Sequence, residues 1–275
     1  RFDGYLKAGV NRLSFGIQSF NDAALEKLGR IHDSAQAETA VKLAQDAGFD
    51  NINLDLMYAL PGQDLAAAEH ALERAFALQP AHISHYQLTL EPNTIFFARP
   101  PKGIPDEDAA WDIQEHCQAL LAQAGYAQYE VSAYARPGRQ CAHNLNYWRF
   151  GDYLGIGAGA HGKISSGAQQ QILRRWKVKH PQAFMDTAGT PASIGGDDII
   201  SADRLPFEYM LNLLRLHEGF SERDFSARTG LDAAVLAPAL ATASARGWLS
   251  GNDGHWQPTE LGRRFTNDVI ELFLA

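Results

Sequence analysis

Polar and apolar side chains alternate along three short stretches of the chain, and this period of two predicts strands. Across residues 51–58, Ile52, Leu54, Leu56 and Tyr58 take one face, and Asn51, Asn53, Asp55 and Met57 take the other. Pro61-Gly62 then stops the strand and turns the chain. Residues 11–18 place Leu13, Phe15 and Ile17 opposite Arg12, Ser14, Gly16 and Gln18. Residues 84–91 place Tyr86, Leu88 and Leu90 opposite His85, Gln87, Thr89 and Glu91. Between the stretches the period lengthens. Ser34 is placed to cap a helix in which Ala37, Ala40, Val41 and Ala44 recur at i, i+3, i+4 and i+7. Leu65, Ala68, Leu72, Ala75 and Phe76 form the stripe of another, between Asp64 and Pro80. A shorter helix follows Asn21 or Asp22 and ends near Gly29. Strands alternating with helices imply a parallel sheet covered on both faces. A polar strand face in such a sheet is expected to line a cavity that holds something polar.

The pattern loosens after residue 91. Residues 92–105 contain four prolines and read as loop. Asp106 caps a helix that runs to Ala124, and residues 130–134 read as a strand. The stretch 138–162 carries glycines at 151, 155, 157, 159 and 162, which suggest close backbone approach to a ligand or another strand. Residues 173–178 read as a strand, and 187–198, rich in Gly, Thr, Ser and Asp, as a linker. From residue 201 the texture is helical. Ser221-x-x-Asp224 starts one helix and Asp232 another, before a hairpin over 248–257 and a last helix from Thr259. Helices followed by a two-stranded ribbon have the order of a winged helix.

Charge narrows the choices. The 275 residues carry 24 Lys and Arg against 32 Asp and Glu, a net charge of −8. That disfavours non-specific nucleic-acid binding and polybasic membrane contact. Residues 201–275 hold ten acidic residues against seven arginines, a poor footprint for phosphate contacts, so no nucleic-acid partner is expected. No apolar run approaches a transmembrane segment and no signal peptide is evident. Cys117 and Cys141 are the two cysteines, too few for a disulfide scaffold, and a cytoplasmic location is expected. The chain begins at Arg1 and reaches its first strand within about a dozen residues, which reads as a piece of something longer.

Two groups of residues carry candidate chemistry. Parallel strands deliver polar side chains at their carboxyl ends, where ligands of α/β folds bind. Gln18 ends its strand and Asp55 lies near the end of the next, so these two and Arg30 are grouped. Asp can accept from ribose hydroxyls and Arg can pair with a carboxylate. A structural Arg30–Asp55 ion pair explains the same residues equally well. The second group is His143-Asn144-x-x-Tyr147, where a histidine in a Gly-rich loop could ligate a metal or a haem iron and Tyr147 and Trp148 could stack on a flat macrocycle. The alternative is a loop histidine satisfied by backbone groups, and the same holds for His161. Cys141 and His143 alone do not make a zinc site. Of His82 and His85, only His85 shares the polar parity.

Five blocks in order identify a family. They are R-L-S-F-G-I-Q-S-F, L-G-R-I-H, N-L-D-L-M-Y-A-L-P-G-Q, H-Y-Q-L-T-L-E-P-N-T and H-N-L-N-Y-W-R-F-G-D-Y-L-G-I-G-A-G-A-H-G. Together they resemble the radical S-adenosylmethionine proteins related to oxygen-independent coproporphyrinogen III oxidase, and H-N-x-x-Y points to the haem-chaperone branch. The resemblance covers essentially the whole chain. It implies an α/β fold, the C-terminal part of a partial (βα)6 radical-SAM barrel over residues 1–185, and a small α+β winged-helix-like domain over 201–275. It implies S-adenosylmethionine and a [4Fe–4S] cluster in the intact protein, with Gln18, Arg30 and Asp55 at the positions that contact S-adenosylmethionine. His143 and Tyr147 match the haem-binding motif, His143 as iron ligand, so haem and a haem-acceptor protein are the expected partners. The alternative activity is oxidative decarboxylation of coproporphyrinogen. The C-x-x-x-C-x-x-C cluster loop and the glycine-rich second-strand motif have no match here, so the chain resembles the family from the fourth barrel strand onward.

Overall fold

A computed structural model describes residues 2–167 and 171–274. Packing divides the chain into two compact units, Arg1–Gln140 and Cys141–Ala275. Residues 141–185 thus group with the C-terminal unit.

The first unit runs α1 (Phe2–Lys7), β1 (Leu13–Gln18), α2 (Asp22–Lys27), α3 (Ser34–Asp46), β2 (Ile52–Tyr58), α4 (Leu65–Ala77), β3 (His82–Gln87), α5 (Ile95–Ala98), α6 (Glu107–Gln123), β4 (Ala127–Glu130) and β5 (Ala133–Ala135). Its sheet has the order β1-β2-β3-β5-β4 and is open among the described residues. β1, β2 and β3 are parallel, as the alternation of strand and helix requires. The expected strand at 130–134 is instead a hairpin, with β5 antiparallel to both β3 and β4. Glu130 and Ala133 pair across a turn too short to show as a break in hydropathy.

One face of this sheet is dry. Ile17, Ile52, Leu54, Leu56 and Ile83 pack with Val41, Ala44, Leu72, Ala75, Ile113, Cys117 and Leu121 of the helices. Each large aliphatic side chain so buried contributes about 1.5–3 kcal/mol, which holds α3, α4 and α6 against the strands. Asn21, Asp64 and Asp106 cap their helices as expected. Ser34 does not: the cap of α3 is Asp33, whose carboxylate accepts from the Gln36 N–H while the Gln36 side chain accepts from the Asp33 N–H. Two donors are satisfied reciprocally, so Asp33→Ala is expected to lower the stability of the first unit by about 1 kcal/mol in denaturant titration.

The second unit runs α7 (Ala142–Trp148), β6 (His161–Ser166), β7 (Gln171–Lys177), α8 (Pro181–Thr187), β8 (Ile194–Ile200), α9 (Leu205–Leu213), β9 (Phe220–Ser221), α10 (Glu222–Thr229), α11 (Ala237–Ala245), β10 (Leu249–Asn252), β11 (His255–Pro258), α12 (Glu260–Arg264) and α13 (Thr266–Glu271). β6, β7 and β8 form an antiparallel sheet. β8 occupies the C-terminal part of the stretch read as a linker. Its Gly195 and Gly196 lie against the Trp176 ring of β7, so the small residues answer a bulky cross-strand neighbour rather than a need for flexibility. The winged-helix order is present, with a third short strand, β9, pairing with β11 beside the β10–β11 hairpin. Tyr209 of α9 sits at its centre, edge-on to Phe150, Phe220 and Phe225. Glu208, buried beside it, accepts both guanidinium donors of Arg174 at 3.0 and 2.6 Å.

Candidate functional site

The other face of the first sheet is polar and joined side chain to side chain. The parallel register sets Ser14 beside Asn53, Asn53 beside His82, and Asp55 beside Ser84. Asn53 donates to Ser14 Oγ and to Asp55 Oδ1, both at 2.7 Å, and Ser14 donates to Asp55 Oδ2 at 3.0 Å. Asn53 Oδ1 accepts from Ser84 Oγ at 3.1 Å and lies 2.6 Å from His82 Nδ1. His82 Nε2 lies 2.8 Å from the Tyr129 hydroxyl of β4. Asn53 and His82 are buried, Asp55 is half-buried and Ser14 is exposed. The network therefore opens toward Asp55.

This arrangement corrects the parity assigned to the third strand. His82, Ser84 and Tyr86 share the face of Asp55, whereas His85 lies on the other face, stacked on Tyr58 at 4.7 Å. β3 ends at Gln87, so Leu88 and Leu90 lie beyond it and do not report which face is dry. Burial keeps both histidines neutral, pulling His82 down to about 3, with Arg12 adding to the effect, and His85 down to about 4.

Gln18 closes β1 at a positive φ of 67°, where the register with β2 shifts. A non-glycine residue there stores on the order of 1–3 kcal/mol of strain, a common feature of ligand sites. Its Oε1 accepts from the Tyr86 hydroxyl at 2.9 Å. Tyr86 also lies within electrostatic reach of Asp55 and Arg30. Burial raises its hydroxyl above the usual range, against the pull of the Gln18 hydrogen bond. Gln18 thus binds Tyr86 directly, Arg30 and Asp55 act on its hydroxyl electrostatically, and Tyr86 lies on the polar face and not on the dry side expected for it. Arg30 makes no ion pair with Asp55 among the described residues, and Asp55 is held by Ser14 and Asn53 instead.

His143 lies on the first turn of α7, not in a loop. A spacing of four puts it and Tyr147 on one face, with ring centroids 4.8 Å apart and edge-on. Tyr147 meets Tyr153 in the same way at 4.4 Å. His143 is exposed, and among the described residues neither ring nitrogen has a hydrogen-bond partner. Backbone satisfaction is not what holds it. His161 pairs with Trp176 across β6 and β7 and stacks on its ring.

The cysteines lie in different units. Cys117 is buried, and burial pushes its thiol up to about 12. No group of three His, Cys, Asp or Glu among the described residues is placed to hold a metal ion, so these residues do not fit an iron–sulfur cluster. No described helix is long and apolar enough to cross a membrane. A hollow of about 490 Å3, marked by no motif, lies beyond the ends of β1 and β2, lined by Ser19, Asn21, Lys27, Pro61, His70 and Arg74. Arg74 is already engaged there by Glu38 at 2.6 Å and the Phe20 carbonyl at 2.8 Å.

Comparison with known proteins shows the family. Residues 1–75 match the radical SAM superfamily, and residues 200–265 match the HemN C-terminal domain. The solved structure of coproporphyrinogen III oxidase (HemN) from Escherichia coli, described as a radical SAM enzyme, superposes with a TM-score of 0.80. It covers 99% of this chain and 67% of its own at 22% identity, a likeness of fold. Heme chaperone HemW of Escherichia coli is 50% identical over all 275 residues, which span 71% of that protein. The proteins of the same name from Haemophilus influenzae and Bacillus subtilis are 48% and 34% identical, over 70% and 71% of their lengths. The chain belongs to the HemW family of heme chaperones.

Proposed function

We propose that this protein binds haem and hands it to acceptor proteins, with His143 as the iron ligand. The observation that carries the reading is the 50% identity to a heme chaperone across the whole chain. The local geometry suits the task. An imidazole on an exposed helical turn with both nitrogens unengaged can offer one of them to a metal. Tyr147, edge-on beside it, limits how the ring can turn. An exposed ligand also leaves the cargo open to capture by an acceptor, which a buried pocket would oppose.

The polar face of the first sheet supports a second part of the reading, a site for S-adenosylmethionine. Asp55 would accept from ribose hydroxyls, Arg30 would pair with the carboxylate of the methionine end, and Gln18 would hydrogen-bond the bound molecule. S-adenosylmethionine, if bound, would present a ribose and a carboxylate for these residues to hold. The residues described here bind and orient; Asp55 and Arg30 offer opposite charges to opposite parts of the ligand. The likeness to coproporphyrinogen III oxidase is one of fold and lends no separate support to decarboxylation.

Haem titration tests the first part. His143→Ala is expected to lose or strongly shift the Soret band at equal haem, with affinity lowered at least about tenfold, a loss of about 1.4 kcal/mol or more. An unchanged spectrum and affinity would remove His143 as ligand. Tyr147→Phe, which keeps the ring, is expected to bind nearly as the parent does.

A further inference from the structure

We infer that His82 and Asn53 are positioning residues that hold the Asp55 carboxylate in the orientation that receives S-adenosylmethionine, through a hydrogen-bond chain running one way from Tyr129. The inference rests on reading Asp55 as a ligand-binding group. The direction of the chain follows from chemistry. A carboxylate only accepts, so the Asn53 atom 2.7 Å from Asp55 Oδ1 is the amide nitrogen. The Asn53 oxygen then faces His82, and it also accepts from Ser84. Two acceptors do not bond, so His82 Nδ1 carries the proton at this 2.6 Å contact. The neutral ring leaves Nε2 as an acceptor, and the Tyr129 hydroxyl donates to it at 2.8 Å. Every donor therefore points toward Asp55: Tyr129 to His82, His82 to Asn53, Asn53 to Asp55. Ser14 adds a second donor on the other carboxylate oxygen at 3.0 Å.

The consequence for binding is orientation rather than contact. Each carboxylate oxygen takes one donor, Oδ1 from the buried Asn53 and Oδ2 from the exposed Ser14, so each keeps lone-pair capacity for a ligand hydroxyl. A wrong His82 tautomer would set two acceptors face to face and release the Asn53 amide to rotate. Asp55 would then lose its inner donor and the angle at which a ligand hydroxyl meets it. His82 and Asn53 sit in the buried half of the network and act only through Asp55.

Calorimetric titration of S-adenosylmethionine into the protein compares the parent with three variants. Asp55→Ala is expected to weaken binding at least about tenfold, since a charged acceptor is lost. His82→Phe fills the space but removes the donor, and is expected to weaken binding about fivefold, a typical value for one hydrogen bond. His82→Asn restores an N–H near the Nδ1 position and is expected to recover most of that loss, a rescue that simple packing would not produce. Nitrogen NMR of the parent reads the tautomer without ligand, and the proton is expected on Nδ1. If Asp55→Ala binds normally, the site reading fails and the inference with it. If Asp55→Ala weakens binding while folded His82→Phe does not, the positioning role alone is overturned. A proton found on Nε2 overturns it whether or not His82→Phe folds.

Discussion

Gly219→Ala is expected to destabilise the second unit by roughly 2–5 kcal/mol, whereas Gly230→Ala costs about 1 kcal/mol. Both glycines sit in the left-handed region, at φ 75° and 76°. An alanine pays the same backbone strain at either. The surroundings differ. A β-carbon on Gly219 would overlap the Trp256 carbonyl oxygen and lie 2.8 Å from the Gln257 α-carbon, both backbone of β11. One on Gly230, at the end of α10, would meet nothing within 4 Å. Relief at Gly219 requires β9 to move off β11, and that breaks the pairing of Phe220 with Trp256. Phe220 is buried against Tyr209, so the strand and the centre of the unit would loosen together. Denaturant titration of the two variants, read through the buried aromatic side chains, separates strain from overlap by the difference between them. Equal losses would mean that the close approach of the two strands is relaxed at little cost.

The same comparison shows why some of this unit escaped the sequence. A glycine forced by a neighbouring backbone looks no different, in one dimension, from one in a flexible stretch. Gly195 and Gly196 stand in a run of Gly, Thr, Ser and Asp that signals linker, yet they belong to β8 because Trp176 of β7 needs the room above them. Their partner strand lies well back in the chain, so local composition carries no trace of the pairing. The helix holding His143 was missed for a related reason. Glycines 151 to 162 dominate the segment, but α7 ends at Trp148, just before them. The first unit was more legible. Leu54 and Leu56 against Asn53 and Asp55 form an alternation that no other element produces, and β2 is central enough for both faces to be fixed by its neighbours. Gln18, Arg30 and Asp55 followed from that parity and from the family likeness. Tyr86, His82 and Ser84 did not, because Leu88 and Leu90, apolar but outside the strand, set the phase of β3 one residue off. A one-residue slip exchanges the faces completely. The clue was available in Ile83, an aliphatic residue inside the strand whose parity agrees with the structure.

Acidification is expected to destabilise the first unit steeply between about pH 6.5 and pH 4, before its carboxylates titrate. His82 and His85 are held neutral by burial, at about 3 and about 4 against an ordinary 6.5. In the unfolded chain both take up a proton as the pH falls through 6.5, while in the folded unit neither does until far lower. Their contribution is thus fully present above pH 6.5 and is lost as the pH falls toward the folded values. Each site contributes a slope of about 1.4 kcal/mol per pH unit over this window. Asp22, whose carboxylate is lowered by the Ser34 N–H, runs the same way but only below its ordinary 3.8, so the two effects occupy separate ranges. Hydrogen exchange of the β2 and β3 amides at pH 7, 6 and 5 reads the loss within this unit. His85→Phe supplies the control, because a phenyl ring keeps the stack on Tyr58 at 4.7 Å and cannot take a proton. Its stability curve is expected to fall about half as steeply as that of the parent, the remaining slope belonging to His82. A parent curve that stays level down to pH 5 would mean that protonated imidazoles are accommodated inside the unit. The neutral, donor-ordered chain from Tyr129 to Asp55 would then not be what the folded state protects.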